Sequence, residues 1–150
     1  MGIESDIHQS KFINAKQKAM INLLYTYGWM IEQIKEFLSE EDITHQQYNI
    51  LRILRGSHPE PLSTLQIRER MLDRMSDTSR IVDRLVAKHL VKKTICPKDK
   101  RLVDVTITEK GQKLLKKLDG QKDYFVQIMG NLSEKESEQL NILLDKLRTG

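Results

Sequence analysis

Cysteine is almost absent from this chain: Cys96 is the only one in 150 residues, so no internal disulfide can form, as expected of a reducing compartment. Aromatic residues are scarce at 5%, with one Trp and three Phe, which leaves leucine, isoleucine, valine and methionine to fill the interior. No stretch approaches the roughly 18 uninterrupted apolar residues of a membrane span. The opening MGIESDIHQSKF lacks the apolar centre of a secretion signal. A soluble, cytoplasmic protein without a membrane partner is the expectation. Clusters that carry chemistry are missing too. His8, His45, His58 and His89 are dispersed without metal-ligand spacing, and there is no HExxH, cysteine pair, nucleophile elbow or glycine-rich phosphate loop. No metal, no cofactor and no enzymatic activity are therefore expected.

Charge is abundant, at 31% of residues, and its placement says more than its net value of +4. Between Arg68 and Arg101 there are eleven Lys/Arg against five Asp/Glu, while the rest of the chain carries fourteen against sixteen. The basic excess is confined to the middle. Focused positive charge fits a polyanionic partner, and nucleic acid is the commonest.

Apolar periodicity predicts a helix from about residue 8 to 38, through Ile13, Met20, Leu23, Leu24, Tyr27, Ile31, Ile34 and Leu38. Phe12, Ile21, Trp29, Met30 and Phe37 widen its stripe, so this helix needs neighbours on several sides. Thr44 caps the next, which runs through Tyr48, Leu51 and Leu54 and ends at Gly56 and SHPEP. Ser63 or Thr64 opens a short helix to about Met71. After the connection LDRM, Ser76 is the expected cap of a second helix to about Lys88, with Asp77 complementing its N-terminal dipole. Thr78, Ile81, Val82, Leu85 and His89 make its inner stripe. LVKKTI and LVDVTIT are two strands joined by CPKDKR. A helix from Thr108 carries Leu114, Leu115, Leu118, Phe125, Ile128 and Met129, interrupted by Gly120 and ended by Gly130. Ser133 with Glu136 forms a capping box for a last helix, with Leu140, Leu143, Leu144 and Leu147 at heptad-like spacing.

Helix, turn, helix, strand, basic loop, strand is the order of a winged helix-turn-helix. A helix fits the major groove, where each base pair shows a distinct donor and acceptor pattern. Its exposed face must then carry short polar and long basic side chains, and Ser76, Asp77, Thr78, Ser79, Arg80 and Arg84 supply them. Arg80 is placed to grip guanine. Asp83 is awkward beside DNA, and its expected role is pairing with Arg80 or Arg84. Lys88 is a phosphate contact or a solvated lysine. At the ribbon tip Lys98, Lys100 and Arg101 are placed to meet a narrow minor groove, whose enhanced negative potential attracts cations. Asp99 is expected to orient Arg101 or a backbone amide.

SDTSRIVDRLVAKHLVKK followed by KDKRLVDVTITEKG resembles the core signature of MarR-type transcriptional regulators, with Asp99, Arg101, Thr108 and Gly111 at its motif positions. The resemblance implies a mainly α (α+β) fold: a winged helix-turn-helix over residues 44–108 with a small antiparallel wing, flanked by dimerisation helices at 1–38 and 109–150. It implies a homodimer that binds a near-palindromic double-stranded operator, as a repressor or an activator, repression being the first expectation, with an affinity modulated by a small aromatic or phenolic ligand. Such a ligand would draw on Tyr25, Trp29, Tyr48 and Met71. Two departures stand out. His89 occupies a position where the family often has glycine, and Lys93 and Lys100 replace frequent arginines, keeping charge but losing the planar fork. Cys96, on the first wing strand, reads as a passive small side chain. The alternative is a winged-helix module that binds a protein and no DNA.

Overall fold

The computed structural model describes residues 2–121 and 124–149, and of Tyr124 and Phe125 the backbone alone. Its contacts divide the chain into two compact units, Met1–Phe37 with Tyr124–Gly150, and Leu38–Asp123.

The second unit is built on helix α3 (His45–Ser57), which Thr44 opens with a full capping box: its hydroxyl accepts from the Gln47 N–H and the Gln47 side chain answers to the Thr44 N–H. Strand β1 (Leu62–Ser63) leads into α4 (Thr64–Arg70), capped by Ser63 with Gln66 in the same reciprocal way. Then come α5 (Thr78–Ala87), β2 (Val91–Ile95), β3 (Val103–Ile107) and α6 (Glu109–Asp119). The strands form one antiparallel sheet in the order β1-β3-β2, with Val91 opposite Ile107 and Ile95 opposite Val103. Strand β1, with Leu62 opposite Val105, was not among the expected elements, because two residues are too few to show an alternation. Helix α3 packs on α4, α5, α6 and β3. Ile50, Leu51, Leu54, Ile67, Val82, Leu85, Val105, Leu115 and Leu118 fill the space between them and are almost wholly buried. All are aliphatic, in keeping with the shortage of aromatics.

Helix α5 ends in a way that explains the residues after it. The His89 N–H donates to the Val86 carbonyl at 2.9 Å and the Leu90 N–H to the Leu85 carbonyl at 3.0 Å. This bond pair is a Schellman motif, and buried Leu85 and Leu90 supply its apolar contact. It requires a left-handed residue at position 89, and His89 has φ 61°. His89 is exposed and lies outside the apolar stripe of α5 on which it was expected, because the left-handed turn redirects its side chain. Histidine tolerates that region better than most residues but not as well as glycine. His89→Gly is therefore expected to stabilise the fold by about 0.5–1 kcal/mol, read as a raised melting midpoint. An unchanged or lowered midpoint would show that His89 is held there without strain.

The first unit comprises α1 (Ile3–Asp6), α2 (Ala15–Leu38, whose last residue belongs to the second unit), α7 (Tyr124–Met129) and α8 (Glu134–Arg148). Helix α2 starts at Ala15 and not near residue 8. Asn14 Oδ1 accepts the Gln17 N–H at 2.9 Å, so Asn14 acts as the cap, while His8 takes a left-handed φ of 54° that no continuing helix allows. The Lys18 ammonium pairs with Glu4 and lies over the Phe12 ring. Ser133 and Glu136 form the expected box before α8. Phe125, expected on the apolar stripe, has its side chain outside the described residues. Helix α8 buries none of its residues, and Leu140, Ile142, Leu143 and Leu147 are exposed. Met20, Leu23, Leu24 and Tyr27 on α2 are exposed as well. Helix α6, grouped by the sequence pattern with the C-terminal helices, packs on α3 in the second unit.

Among the described residues no helix is long and apolar enough to cross a membrane, and no group of three or more His, Cys, Asp and Glu side chains could hold a metal ion.

Candidate nucleic-acid interface

The cap of α5 is Asp77, not Ser76. Asp77 Oδ1 accepts the Arg80 N–H at 3.3 Å, whereas the Ser76 hydroxyl donates to the Asp73 carbonyl at 2.9 Å and so belongs to the preceding turn. The helix accordingly begins one residue later than expected, at Thr78. Ser79, Arg80 and Arg84 stand exposed along its outer face. Thr78 points inward: it is 3% exposed, and its hydroxyl has no hydrogen-bond partner.

Between α4 and the start of α5 lies an open cavity of about 400 Å³, lined by Thr64, Leu65, Arg68, Ser76, Asp77, Thr78 and Ser79. Thr64, Leu65 and Arg68 were not among the expected site residues. Arg68 stood at the edge of the basic stretch, but only the packing of α4 on α5 brings it to the recognition face. Leu72, almost fully exposed in the connection between these helices, was missed for a similar reason, since an apolar residue in a turn carries no periodicity; Met75, offered by the sequence beside Met71 as an effector-site residue, is almost fully exposed in the same connection.

Asp83 on α5 and Lys88 at its C-cap make contacts that the sequence did not show. Asp83 pairs with Lys93 on β2 at 2.8 Å, not with Arg80 or Arg84, because the antiparallel return of the chain brings β2 against α5. The bridge neutralises the carboxylate and leaves both arginines free. Lys88 is half-buried and engaged within the chain. Its ammonium donates to the Asp42 carbonyl and, at 3.1 Å, to Gln47 Oε1, bracing the end of α5 against the entry to α3.

The wing is held at both ends. At its base the Thr108 hydroxyl donates to the His89 carbonyl at 2.8 Å and accepts the Gly111 N–H at 3.1 Å, so one side chain joins the end of α5 to the start of α6. The Lys110 ammonium donates to the Lys88 carbonyl at 3.0 Å, a cation at the negative end of the α5 dipole. Near the tip Cys96 N–H donates to the Leu102 carbonyl and Leu102 N–H to the Asp99 carbonyl, each at 2.9 Å. Asp99 accepts the Arg101 N–H at 3.0 Å and the guanidinium through Nε and Nη2, each at 3.1 Å. The guanidinium, with the backbone N–H, holds the Asp99 carboxyl below the usual carboxylate range. A lowered pKa means the pair is complete above the ordinary aspartate range and is lost only as pH falls through the lowered value, so it is intact at neutral pH. Arg101 remains 89% exposed despite these bonds. Lys98 and Lys100 are exposed and, like Arg80 and Arg84, make no hydrogen bond or ion pair among the described residues.

Of the side chains expected to line an effector site, Tyr48 and Met71 are buried in the second unit, with the Arg52 guanidinium over the Tyr48 ring at 5.7 Å. Tyr25 and Trp29 lie on α2 in the first unit, each about half exposed.

A capped outward helix beside a short, cation-tipped antiparallel ribbon is a winged helix-turn-helix. The family model for the MarR family matches residues 43–103. Among solved structures, a MarR transcription factor from Planctomyces limnophilus is 36% identical over 90% of this chain and 98% of its own, with a TM-score of 0.68. A mutant MarR of Escherichia coli complexed with operator DNA is 25% identical over 93% of this chain and 99% of its own, with a TM-score of 0.79. The HTH-type transcriptional regulator PrsX of Escherichia coli is 29% identical over 119 residues, 79% of this chain and 72% of the relative. The chain belongs to the MarR family: it is a transcriptional regulator and not an enzyme.

Proposed function

We propose that the chain acts as a symmetric homodimer on near-palindromic double-stranded DNA, each protomer laying α5 in a major groove and its wing against the neighbouring minor groove. The observation that carries this reading is how charge is distributed between α5 and the wing tip. Asp73, Asp77, Asp83 and Asp99 each accept a hydrogen bond from the chain itself, whereas Arg80, Arg84, Lys98 and Lys100 have no partner among the described residues. Acidic groups are occupied locally and cations are left over, as a surface meeting phosphates requires. Thr78 and Ser79 open the same helix and Ser76 lies in the turn just before it, Thr78 with a buried hydroxyl that has no partner among the described residues.

The exposed apolar rows on α2 and α8 support the dimer, since contiguous apolar surface of this kind marks an interface. A dimer seated across a promoter excludes other proteins from it, and the proposed role is repression. Release is by a small aromatic or phenolic ligand, for which the half-exposed rings of Tyr25 and Trp29 offer stacking surfaces. The cell cytoplasm is the compartment in which such a regulator meets its DNA.

Selection from a random duplex library tests the reading. The expected result is a near-palindrome with half-sites about one helical turn apart, roughly 10 bp. Recovery of no preferred sequence would sink it.

A further inference from the structure

We propose that Asp77 is a specificity-determining residue that selects cytosine in each half-site by accepting a hydrogen bond from its exocyclic amine. The inference rests on the DNA reading above and assigns this residue a role within it.

Asp77 is an anion at the leading end of the helix that faces a polyanion. Asp83 pairs with Lys93 and Asp99 with Arg101, while Asp77, like Asp73 in the turn before it, has no ion pair among the described residues. It spends Oδ1 on the Arg80 N–H and is otherwise exposed. As a cap it is replaceable, since asparagine and serine serve that purpose about equally well without a charge. A carboxylate cannot contact phosphate, because it offers only acceptors. At a major-groove edge it needs a donor, which cytosine N4 and adenine N6 present. Adenine sets its N7 acceptor beside that donor and guanine presents only acceptors, so cytosine suits a carboxylate best. The N-terminal residues of a recognition helix are the ones that reach base edges. Asp77 and Thr78 both line the cavity between α4 and α5, Thr78 with its hydroxyl buried and unpartnered among the described residues. The cap uses only Oδ1 of Asp77, so the second carboxylate oxygen is left for a partner outside the chain.

The test compares the full chain with Asp77→Asn and Asp77→Ser, both of which keep a capping oxygen. Each protein is put through duplex selection. Binding is then titrated on the preferred duplex and on versions with the candidate cytosine changed to every other base. The wild type is expected to prefer cytosine at one position per half-site by roughly ten-fold over the other bases. Asp77→Ser should lose that preference, and Asp77→Asn should move it toward adenine, which an amide can hold through N6 and N7. Both variants should bind unrelated duplexes more tightly, because a repulsive charge is gone. If both show the wild-type base preference and differ only by uniformly tighter binding, Asp77 is a helix cap and the inference is overturned. If the wild type itself selects no sequence, the inference falls with the DNA reading it rests on.

Discussion

Gly111→Ala is expected to lower the melting midpoint more than any other single-methyl addition in the second unit. A Cβ at position 111 would stand 2.4 Å from the Leu90 carbonyl oxygen and 2.7 Å from Ile107 Cγ1. The first neighbour is backbone and cannot swing aside. The Leu90 carbonyl already accepts the Thr108 N–H at 3.1 Å, and Leu90 itself closes the Schellman turn of α5. Relieving the clash therefore means moving the start of α6 away from the end of α5, with loss of bonds at that junction. Overpacking of this kind costs about 3 kcal/mol, and in a chain of this size each kcal/mol moves the midpoint by roughly 2–4 °C. Gly56→Ala is the control. A Cβ there meets nothing within 4 Å, and in the last turn of α3 alanine should be neutral or stabilising. Thermal unfolding of the two variants should move in opposite directions or differ widely. Equal midpoints would mean that α6 can shift without cost, and the junction would not be the constraint described.

That junction gives a physical reading of the Thr-x-x-Gly signature. Thr108 reaches back to the His89 carbonyl and forward to the Gly111 amide, and Gly111 admits the Leu90 carbonyl that a side chain would exclude. The signature thus welds the end of the recognition helix to the base of the wing, so the two DNA-facing elements keep one spacing.

Features governed by local chemistry were legible in the sequence. The cap at Thr44 and the capping box at Ser133 depend on residues close in sequence and are present, and of the two starts offered, Ser63 and Thr64, the structure uses Ser63. The ribbon was legible from alternation, and the demand for a left-handed residue at 89 from the glycine that usually stands there. The misplaced features are those where two local solutions compete or where distant segments meet. Ser76 and Asp77 are both good caps, and the choice turned on the Asp73 carbonyl, which claims the serine. The partner of Asp83 depends on how β2 returns past α5, and that of Lys88 on where the entry to α3 lies. A helical wheel placed Arg80 and Arg84 near Asp83, but Lys93, ten residues away in sequence, outcompeted them. Arg68 came to the recognition face only through the packing of α4 against α5.

Arg80, left free by that exchange, and Arg101 at the wing tip carry the second large expectation. Arg80→Ala with Arg101→Ala should reduce affinity for the selected duplex by two orders of magnitude or more. An arginine bidentate to guanine is worth about 1–3 kcal/mol of discrimination, and a symmetric dimer loses it in both half-sites. Removing a phosphate-facing cation from each wing should also lower the slope of log affinity against log salt by about 2. Both side chains are exposed, and surface changes of this sort usually stay within about 0.5 kcal/mol of wild-type stability. A drop in binding with an unchanged melting midpoint would therefore report on the interface. Arg101 has a second part to play, since without it the Asp99 carboxylate is left unpaired at the wing tip, where it repels phosphate. Adding Asp99→Asn to Arg101→Ala separates the two contributions: partial recovery measures the repulsion, and the remaining deficit measures the lost contact. If the Arg80/Arg101 double variant instead binds duplex as the wild type does, this face of the molecule serves a protein partner and not DNA.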